Sequence, residues 1–537
     1  MARSKRKSGP PPWVTLIRWI SLVLAVVLAF VPPRANSNLL ELGPLYFHLD
    51  PLLAIGVILT QWVIPNMLWL ALLTLLVTMA LGRVFCGYIC PLGVWLDISG
   101  ARKGSRSNRL LPLNWRYILL FSFLAFAIFG FPLLYLFDPI TIFYRNLTLA
   151  AIPLGGKVAA TVASQLSGWV TLPQRSGGFW GWLGAMSQSP AGVRFYLLGT
   201  FAVAMFVGIT LLERLSPRFW CRYLCPLGAS LSLFSRLNLL RRHVDEKVCT
   251  ECQACAKVCS MGAIGEKGMT TDFSLCFNCK ECKRRCTSQA ISFRWGFPEP
   301  KSAAPLDLSR RAMLGSLGVA GLAAATARLS LFSFNKTDLI RPPGALPEAR
   351  FIGRCVGCMR CMEVCPTNII VPTDLRRGLT VFYTPRLDFA RQGCAQDCVA
   401  CTQACPTGAL MPLEIEVKSF LKLGSSYVDR GKCLAWSQGQ ICLVCKESCP
   451  YGAIAARLDK TPFGDNLVPA PDRARCIGCG TCEANCPVRG RPAITVISDG
   501  EDRALAQFPP TEKILKMRRR RRTQFIEDDA PPVIGGV

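Results

Sequence analysis

Apolar residues gather in the first 240 positions of this 537-residue chain into stretches close to membrane-spanning length. Residues 13–31, 66–82, 116–137 and 194–213 approach the ~20 apolar residues that cross a bilayer as a helix. A fifth stretch, 52–64, is shorter and reads as a lead-in to the second span or a re-entrant piece. Basic residues fall unevenly between these runs. Arg3, Lys5, Arg6 and Lys7 precede the first, and Arg102, Lys103, Arg106 and Arg109 follow the second. Arg214, Arg218, Arg222, Arg236, Arg241 and Arg242 follow the fourth, whereas loop 32–50 holds only Arg34. Under the positive-inside rule these positions fit four spans with both ends cytoplasmic. No small-residue cleavage site follows the first run, so it reads as a span rather than a signal peptide.

The apolar half is internally repeated. Arg83-Val-Phe-Cys86-Gly-Tyr-Ile-Cys90-Pro-Leu-Gly93 matches Arg218-Phe-Trp-Cys221-Arg-Tyr-Leu-Cys225-Pro-Leu-Gly228, each directly after an apolar stretch. A fainter echo precedes each copy, Tyr46-Phe-His48-Leu-Asp50-Pro51 and Tyr135-Leu-Phe-Asp138-Pro139. Repeats of this kind are common in membrane proteins. The charge pattern puts both Cys-Pro motifs at the inner face and both Asp-Pro motifs at the outer. Cys86, Cys90, Cys221 and Cys225 then lie at one depth, where they are candidates for a shared metal site or a pair of reduced structural turns.

Beyond residue 243 the chain is hydrophilic and cysteine-dense. Twenty-four of its 28 cysteines form six runs, each reading as the ligand set of an iron–sulfur cluster. Four have the spacing C-x2-C-x2-C-x3-C: Cys249/Cys252/Cys255/Cys259, Cys276/Cys279/Cys282/Cys286, Cys355/Cys358/Cys361/Cys365 and Cys476/Cys479/Cys482/Cys486. Cys394/Cys398/Cys401/Cys405 opens with x3, and Cys433/Cys442/Cys445/Cys449 with x8. This is the bacterial ferredoxin spacing, in which soft thiolates wrap a 4Fe–4S cubane. Zinc ribbons need two knuckles separated by a long gap, and disulfide frameworks do not repeat a spacing. There is no C-x-x-C-H for covalent haem, and only two histidines, His48 and His243, which the topology separates. Six 4Fe–4S clusters are expected. In the two-cluster fold the fourth cysteine of each run serves the other cluster. Cys249, Cys252 and Cys255 therefore pair with Cys286, and Cys276, Cys279 and Cys282 with Cys259. For the last four runs sequential and nested pairings are both open, and the unequal middle runs favour nesting.

The expected organisation is a polytopic α-helical membrane domain of four duplicated spans (1–243), followed by α+β ferredoxin-like domains. Residues 244–296 hold two clusters and 336–505 hold four; between them lies a linker (297–335), and a basic then acidic tail (506–537) follows. The linker contains Ser309-Arg310-Arg311 before an apolar run ending at Ala327, in the manner of a Tat export signal. Met313 stands where an aromatic is usual, and the run reads as cleavable after Ala325-Thr-Ala327 or as a fifth span. The formal charge of +28 divides into +21 over residues 1–334 and +7 over 335–537. Most of the excess thus sits in the apolar half, where it sets topology, and nucleic acid is not an expected partner.

Duplicated C-x3-C-P spans followed by a two-cluster ferredoxin resemble the NapH family, membrane components of a quinol dehydrogenase. A twin-arginine segment followed by four cluster motifs is similar to the NapG family; the methylamine-utilisation pair MauN and MauM is alike. The chain resembles both kinds fused, membrane part first. The resemblance implies quinol oxidation at the bacterial inner membrane and electron delivery to a periplasmic cytochrome or molybdenum reductase. Residues 244–296 would be cytoplasmic and 336–537 periplasmic. Proton acceptors for the quinol are sought among His48, Asp50 and Asp138, with Asp97 and Glu213 nearer the inner face, although each Asp-Pro also fits a helix start. Two other classes remain: a metal-handling assembly accessory, similar over residues 60–295 but lacking the last four motifs, and a redox-sensing scaffold.

Overall fold

The computed structural model describes residues 10–30, 45–61, 68–100, 111–155, 197–296 and 339–503, less residues 113, 130–132 and 266, with isolated positions within 158–161 and 314–322. Two compact units result. The first comprises Met1–Pro32, Glu41–Phe332 and Ile352–Met359; the second comprises Pro33–Leu40, Ser333–Phe351 and Arg360–Val537. Arg310, Arg311 and the tail 506–537 lie outside the described residues.

In the first unit the sequence repeat becomes a structural repeat of four helices. The first copy runs α1 (Pro12–Phe30), α2 (Pro51–Gln61), α3 (Leu68–Leu81) and α4 (Pro91–Ser99). The second runs α5 (Trp115–Ile128), α6 (Pro139–Asn146), α7 (Leu197–Leu212) and α8 (Pro226–Phe234). Proline opens α2, α4, α6 and α8, where its missing N–H costs nothing and its fixed φ suits the first turn. The residue before each is Asp50, Cys90, Asp138 or Cys225.

Of the expected spans, the first is matched by a described helix of spanning length, and the helices in the others border residues outside the description. Among the described residues one helix, Pro12–Ala29, is long and apolar enough to cross a membrane by itself. α2, α3, α5 and α7 have 11, 14, 14 and 16 residues. The run 116–137 ends as helix at Ile128, and 52–64 is a helix of its own with a counterpart in α6. The copies interlock: α4 packs on α6 of the other copy, and α8 on α2.

The first unit continues into a small α+β element. β1 (Leu240–Val244) pairs antiparallel with β2 (Ile291–Trp295), enclosing the short helices Ala254–Val258 and Glu281–Arg285. His243 is exposed on β1. The second unit is built of two-stranded antiparallel ribbons between loops: β3 (Ile370–Pro372) with β4 (Pro385–Leu387), β5 (Ser425–Val428) with β8 (Ile494–Ile497), and β6 (Ile454–Thr461) with β7 (Gly464–Pro471). Cysteines form much of its buried apolar material.

Candidate redox centre

Each C-x3-C-P motif folds as a π-helical turn, Phe85–Ile89 or Trp220–Leu224, and its second cysteine caps the next helix. All four cysteines are buried in one apolar core. Two arginines tie the copies together by reciprocal exchange. Arg83 donates from Nη2 to Cys221 O (3.4 Å), and Arg218 from Nη1 to Cys86 O (2.9 Å). Glycine is needed where each arm passes. A Cβ at Gly228 would stand 2.6 Å from Arg83 Nη2, and one at Gly93 2.6 Å from Cys86 O and 3.4 Å from Arg218 Nη1. The repeat thus brings Cys86, Cys90, Cys221 and Cys225 together about a pseudo-twofold.

Positive charge is concentrated at this point. Arg18, Arg83, Arg116, Arg218 and Arg222 are all buried. Asp97 forms ion pairs with Arg18 (2.8 Å) and Arg218 (2.6 Å). Glu213 accepts from the Arg218 amide, so both inner-face acid candidates serve arginine. Arg83 also donates to Ser274 O and toward Cys86 Sγ, and Arg116 to Tyr117 OH and Ser274 Oγ, all uncharged groups while the cysteine is a thiol. Buried guanidiniums call for anionic partners. Four iron-bound thiolates would supply that charge. Arg83 and Arg218 escaped the search for site residues, although both open the repeated eleven-residue motif.

The two-cluster ferredoxin inserts its second cysteine loop here. A Cβ on Gly87 would meet Phe277 at 2.3 Å, and the Arg218 guanidinium lies 4.7 Å from that ring's centroid. Tyr88 OH donates to Asn278 O (2.9 Å), and Asn278 Nδ2 to Leu81 O (2.6 Å). Cys259, Cys276, Cys279 and Cys282 line one cavity of about 410 Å³. These are the crossed ligands expected from the fold. Cys249, Cys255 and Cys286 gather on the other side, and Cys252 is exposed. Burial pushes the Cys276 thiol up to about 12, so binding iron is what makes it a thiolate.

In the second unit, Cys394, Cys398, Cys401 and Cys365 line a cavity of about 310 Å³. Cys433, Cys442, Cys445 and Cys486 line another of about 340 Å³. Cys449 lies at electrostatic range of both Cys479 and Cys482. Third run therefore crosses with fourth, and fifth with sixth. The nested arrangement is corrected; the reason is that β5–β8 and β6–β7 hold the fifth and sixth runs side by side.

Reading each run as a ligand set of its own is corrected as well, most visibly at Cys355, Cys358, Cys361 and Cys405. Cys365 is taken from the third run into the fourth run's cavity, and Cys405 is not among the residues lining that cavity. The short helices Arg360–Glu363 and Ala400–Gln403, which carry Cys361 and Cys401, pack together and make the exchange of fourth cysteines possible. Cys358 and Cys361 are buried, whereas Cys355 and Cys405 are half-buried. The third run is also divided in the fold: Cys355 and Cys358 belong to the first unit, Cys361 and Cys405 to the second. Thr148 Oγ1 donates to Cys358 O (3.2 Å), which ties that cysteine to the helical core, and Cys405 Sγ accepts from Leu410 N (3.4 Å).

Among the described residues no three Cys, His, Asp or Glu side chains converge on a single bare ion, Cys355, Cys358, Cys361 and Cys405 included. Each of the three cavities is instead ringed by four cysteines, a soft donor set that suits an iron–sulfur cluster.

Both irregular runs have a local cause. Buried Lys418 donates to Ala395 O and Cys398 O, pinning the extra residue after Cys394. The eight residues after Cys433 hold the helix Leu434–Ser437, tied down by Asn466 Nδ2 to Ala435 O (2.8 Å) from β7. A lysine at a cluster cavity favours the reduced, more negative state. Lys418→Met is expected to lower that cluster's midpoint potential by on the order of 100 mV, read by redox titration.

The Asp-Pro candidates also meet. Asp50 and Asp138 are wholly buried and interact electrostatically with one another. His48, half-buried, lies outside this pair. α1 measures their depth. Arg18 Nε donates to Gly87 O and Ser21 Oγ to Ile89 O, while Tyr46 OH donates to Ser21 O and Tyr144 OH to Ala25 O. Seven residues of helix, ~10 Å, cover both layers. Residues flanking the Cys-Pro and the Asp-Pro motifs thus contribute to the same buried apolar core.

A 4Fe–4S binding domain family matches residues 63–109 and again 198–245, the two C-x3-C-P copies. A 4Fe–4S dicluster domain family matches 354–409, the third and fourth runs. No solved structure matches. Cavities lined by crossed cysteines and these domains define an iron–sulfur electron-transfer protein of ferredoxin type. The chain is 36% identical over 190 residues to the ferredoxin-type protein NapG of Escherichia coli K12, covering 34% of this chain and 79% of NapG. It is 35% identical over 161 residues to the methylamine utilization ferredoxin-type protein MauM of Methylophilus methylotrophus, 28% of this chain and 66% of MauM. An uncharacterized protein of Methanocaldococcus jannaschii is 36% identical over 66 residues, 12% of this chain and 26% of that protein. The chain belongs to the NapG and MauM ferredoxin-type family.

Proposed function

We propose that this protein is a membrane-bound quinol dehydrogenase component that oxidises quinol and delivers electrons to a periplasmic cytochrome or molybdenum reductase. The convergence of four cysteines from two repeats beneath the Cys276–Cys282 loop carries this reading. Cys86, Cys90, Cys221 and Cys225 would hold a further iron–sulfur centre, beside six clusters on the other 24 cysteines. Bound iron–sulfur clusters supply one-electron acceptors, which suits the stepwise oxidation of a two-electron donor. Arg83 and Arg218 hold the two cysteine turns in register and supply positive charge, which favours the reduced state. Phe277, Tyr88 and Asn278 fix the ferredoxin loop against that centre.

Membrane residence draws support from apolar side chains that face outward. Leu16, Ile20, Val23 and Val27 on α1, and Trp69 and Leu76 on α3, are all at least half exposed. Contiguous apolar faces of this kind need a cover, and lipid supplies one. The twin-arginine segment would carry residues 336–537 to the periplasm, leaving 244–296 cytoplasmic. A reporter fused after residue 503 should be active only outside, and Arg310→Lys with Arg311→Lys should trap it; cytoplasmic activity in the parent rejects this topology. Quinol oxidation is tested by adding a short-chain quinol to purified, oxidised protein. Bleaching of the iron–sulfur absorbance supports it, and clusters that only dithionite reduces refute it.

A further inference from the structure

The buried carboxyl pair does more than cap two helices. Asp50 Oδ1 accepts from Leu52 N (2.8 Å) and Leu53 N (3.4 Å), and Asp138 Oδ2 accepts from Thr141 N (2.7 Å). Those bonds use one oxygen of each residue. Asp50 Oδ2 and Asp138 Oδ1 are buried and no protein donor reaches either. Each side chain is fully enclosed, so water does not offset the missing donors. Two carboxylates facing one another in such a place repel strongly, and one proton between them supplies the missing donor.

One neighbouring cation, Arg145, offsets part of the pair's charge. Arg145, on α6, is the cation nearest Asp138, yet its guanidinium donates to Gly357 O (3.1 Å), Val356 O (3.3 Å) and Tyr135 O (3.5 Å). Tyr135 directs its hydroxyl to Gly353 O (2.9 Å). The remaining titratable neighbours are Tyr46 on its Ser21 partner, half-buried His48, Cys355 beyond Tyr135, and Cys90 at the start of α4. Because α4 packs on α6, the pair lies at electrostatic range of the four-cysteine centre.

We propose that Asp50 and Asp138, one from each repeat, form a single proton-binding site that holds one proton at rest and accepts a second when hydroquinone is oxidised. This rests on the quinol reading above. In the step, one quinol O–H bond breaks. Its proton would convert the carboxyl–carboxylate pair to two carboxyls, and the electron that leaves with it would pass to an iron–sulfur centre held by Cys86, Cys90, Cys221 and Cys225, which would supply a one-electron acceptor. The extra proton would have to leave the enclosed pair for bulk water, on opening of the core around the quinol, before the second O–H bond breaks in the same way. Two protons and two electrons thus leave the quinol one pair at a time. The symmetry explains why the repeat preserves an Asp-Pro in each half: each copy supplies one half of the site.

The test is infrared spectroscopy on the full detergent-solubilised protein, with parallel iron counting. Oxidised parent at neutral pH should show one carbonyl band from a buried protonated carboxyl that shifts in D2O. Asp50→Asn and Asp138→Asn should each remove this same band, because the amide then donates to the surviving carboxylate; the double variant should remove nothing more. Each single variant should keep parental iron content and dithionite reduction while quinol-driven reduction slows about 100-fold. Absence of the band in the parent, or its survival in either single variant, overturns the shared proton. If neither variant accumulates, the parent spectrum decides: no slowly exchanging protonated carboxyl means no pair. Should the band behave as expected while quinol fails to reduce the parent, the quinol reading falls and the proton site stands.

Discussion

Replacing Cys86, Cys90, Cys221 and Cys225 together by serine should lower iron from about 28 to about 24 atoms per chain, seven clusters to six. Quinol-driven reduction of the remaining clusters should fall to that of a protein-free control, while dithionite still reduces them. The expectation follows from charge and from position. Buried Arg83 and Arg218 lie against the cysteine turns, and the cluster loop carrying Phe277 and Asn278 packs directly on those turns. Removing the thiolates leaves positive charge uncompensated, so the variant should also unfold more readily. Equal iron content in variant and parent, by counting and by low-temperature spectroscopy, would remove the four-cysteine centre from the scheme.

A second large effect should appear at a distance along the chain. Cys486→Ala should strip the cluster held by Cys433, Cys442 and Cys445 and cost about four irons, because Cys486 shares their cavity. In the second unit cysteines pack where a larger domain would place aliphatic side chains, so folding and cluster binding are one event. Hydrogen exchange should therefore accelerate at residues 433–447 while 476–482 stays protected. Loss of protection at 476–482 instead would mean that each run binds its own cluster. Loss at 355–361 would restore the nested arrangement. Extracting all iron with a chelator should expose the whole of 339–503 to proteolysis.

Much of the site was legible because thiolate chemistry leaves a spacing. A cubane needs three cysteines on one tight loop, so C-x2-C-x2-C is visible in one dimension, as is the duplication around Cys86 and Cys221. The fourth ligand is the part that spacing hides: Cys365 and Cys405 follow their own runs in sequence but exchange places in the fold. The Asp-Pro echoes were visible too, but their meeting was not. Asp50 and Asp138 are far apart in sequence, and helix length rather than charge count sets their depth. Pro51, Pro91, Pro139 and Pro226 each open a short helix directly after an Asp or a Cys, and only the fold shows residues flanking these motifs sharing one core. Lys418 gave no signal at all, since a lysine in a polar stretch looks solvated until its partners are known.

Sequence alone determined the cluster chemistry, the crossed ligands of the first ferredoxin and the twofold repeat, because these depend on local spacing and on what a short loop can reach. Tertiary structure alone decided the pairing of the last four runs, the exchange of Arg83 and Arg218 between copies, and the contact of Asp50 with Asp138. Each of these joins residues separated by many helices or ribbons, and packing of those elements chooses among pairings that spacing leaves equal. The arginine exchange is the clearest case: glycine at 93 and 228 is visible as a repeated letter, but only the folded core shows that it clears a path for the other copy's arginine or holds the cysteine carbonyl close.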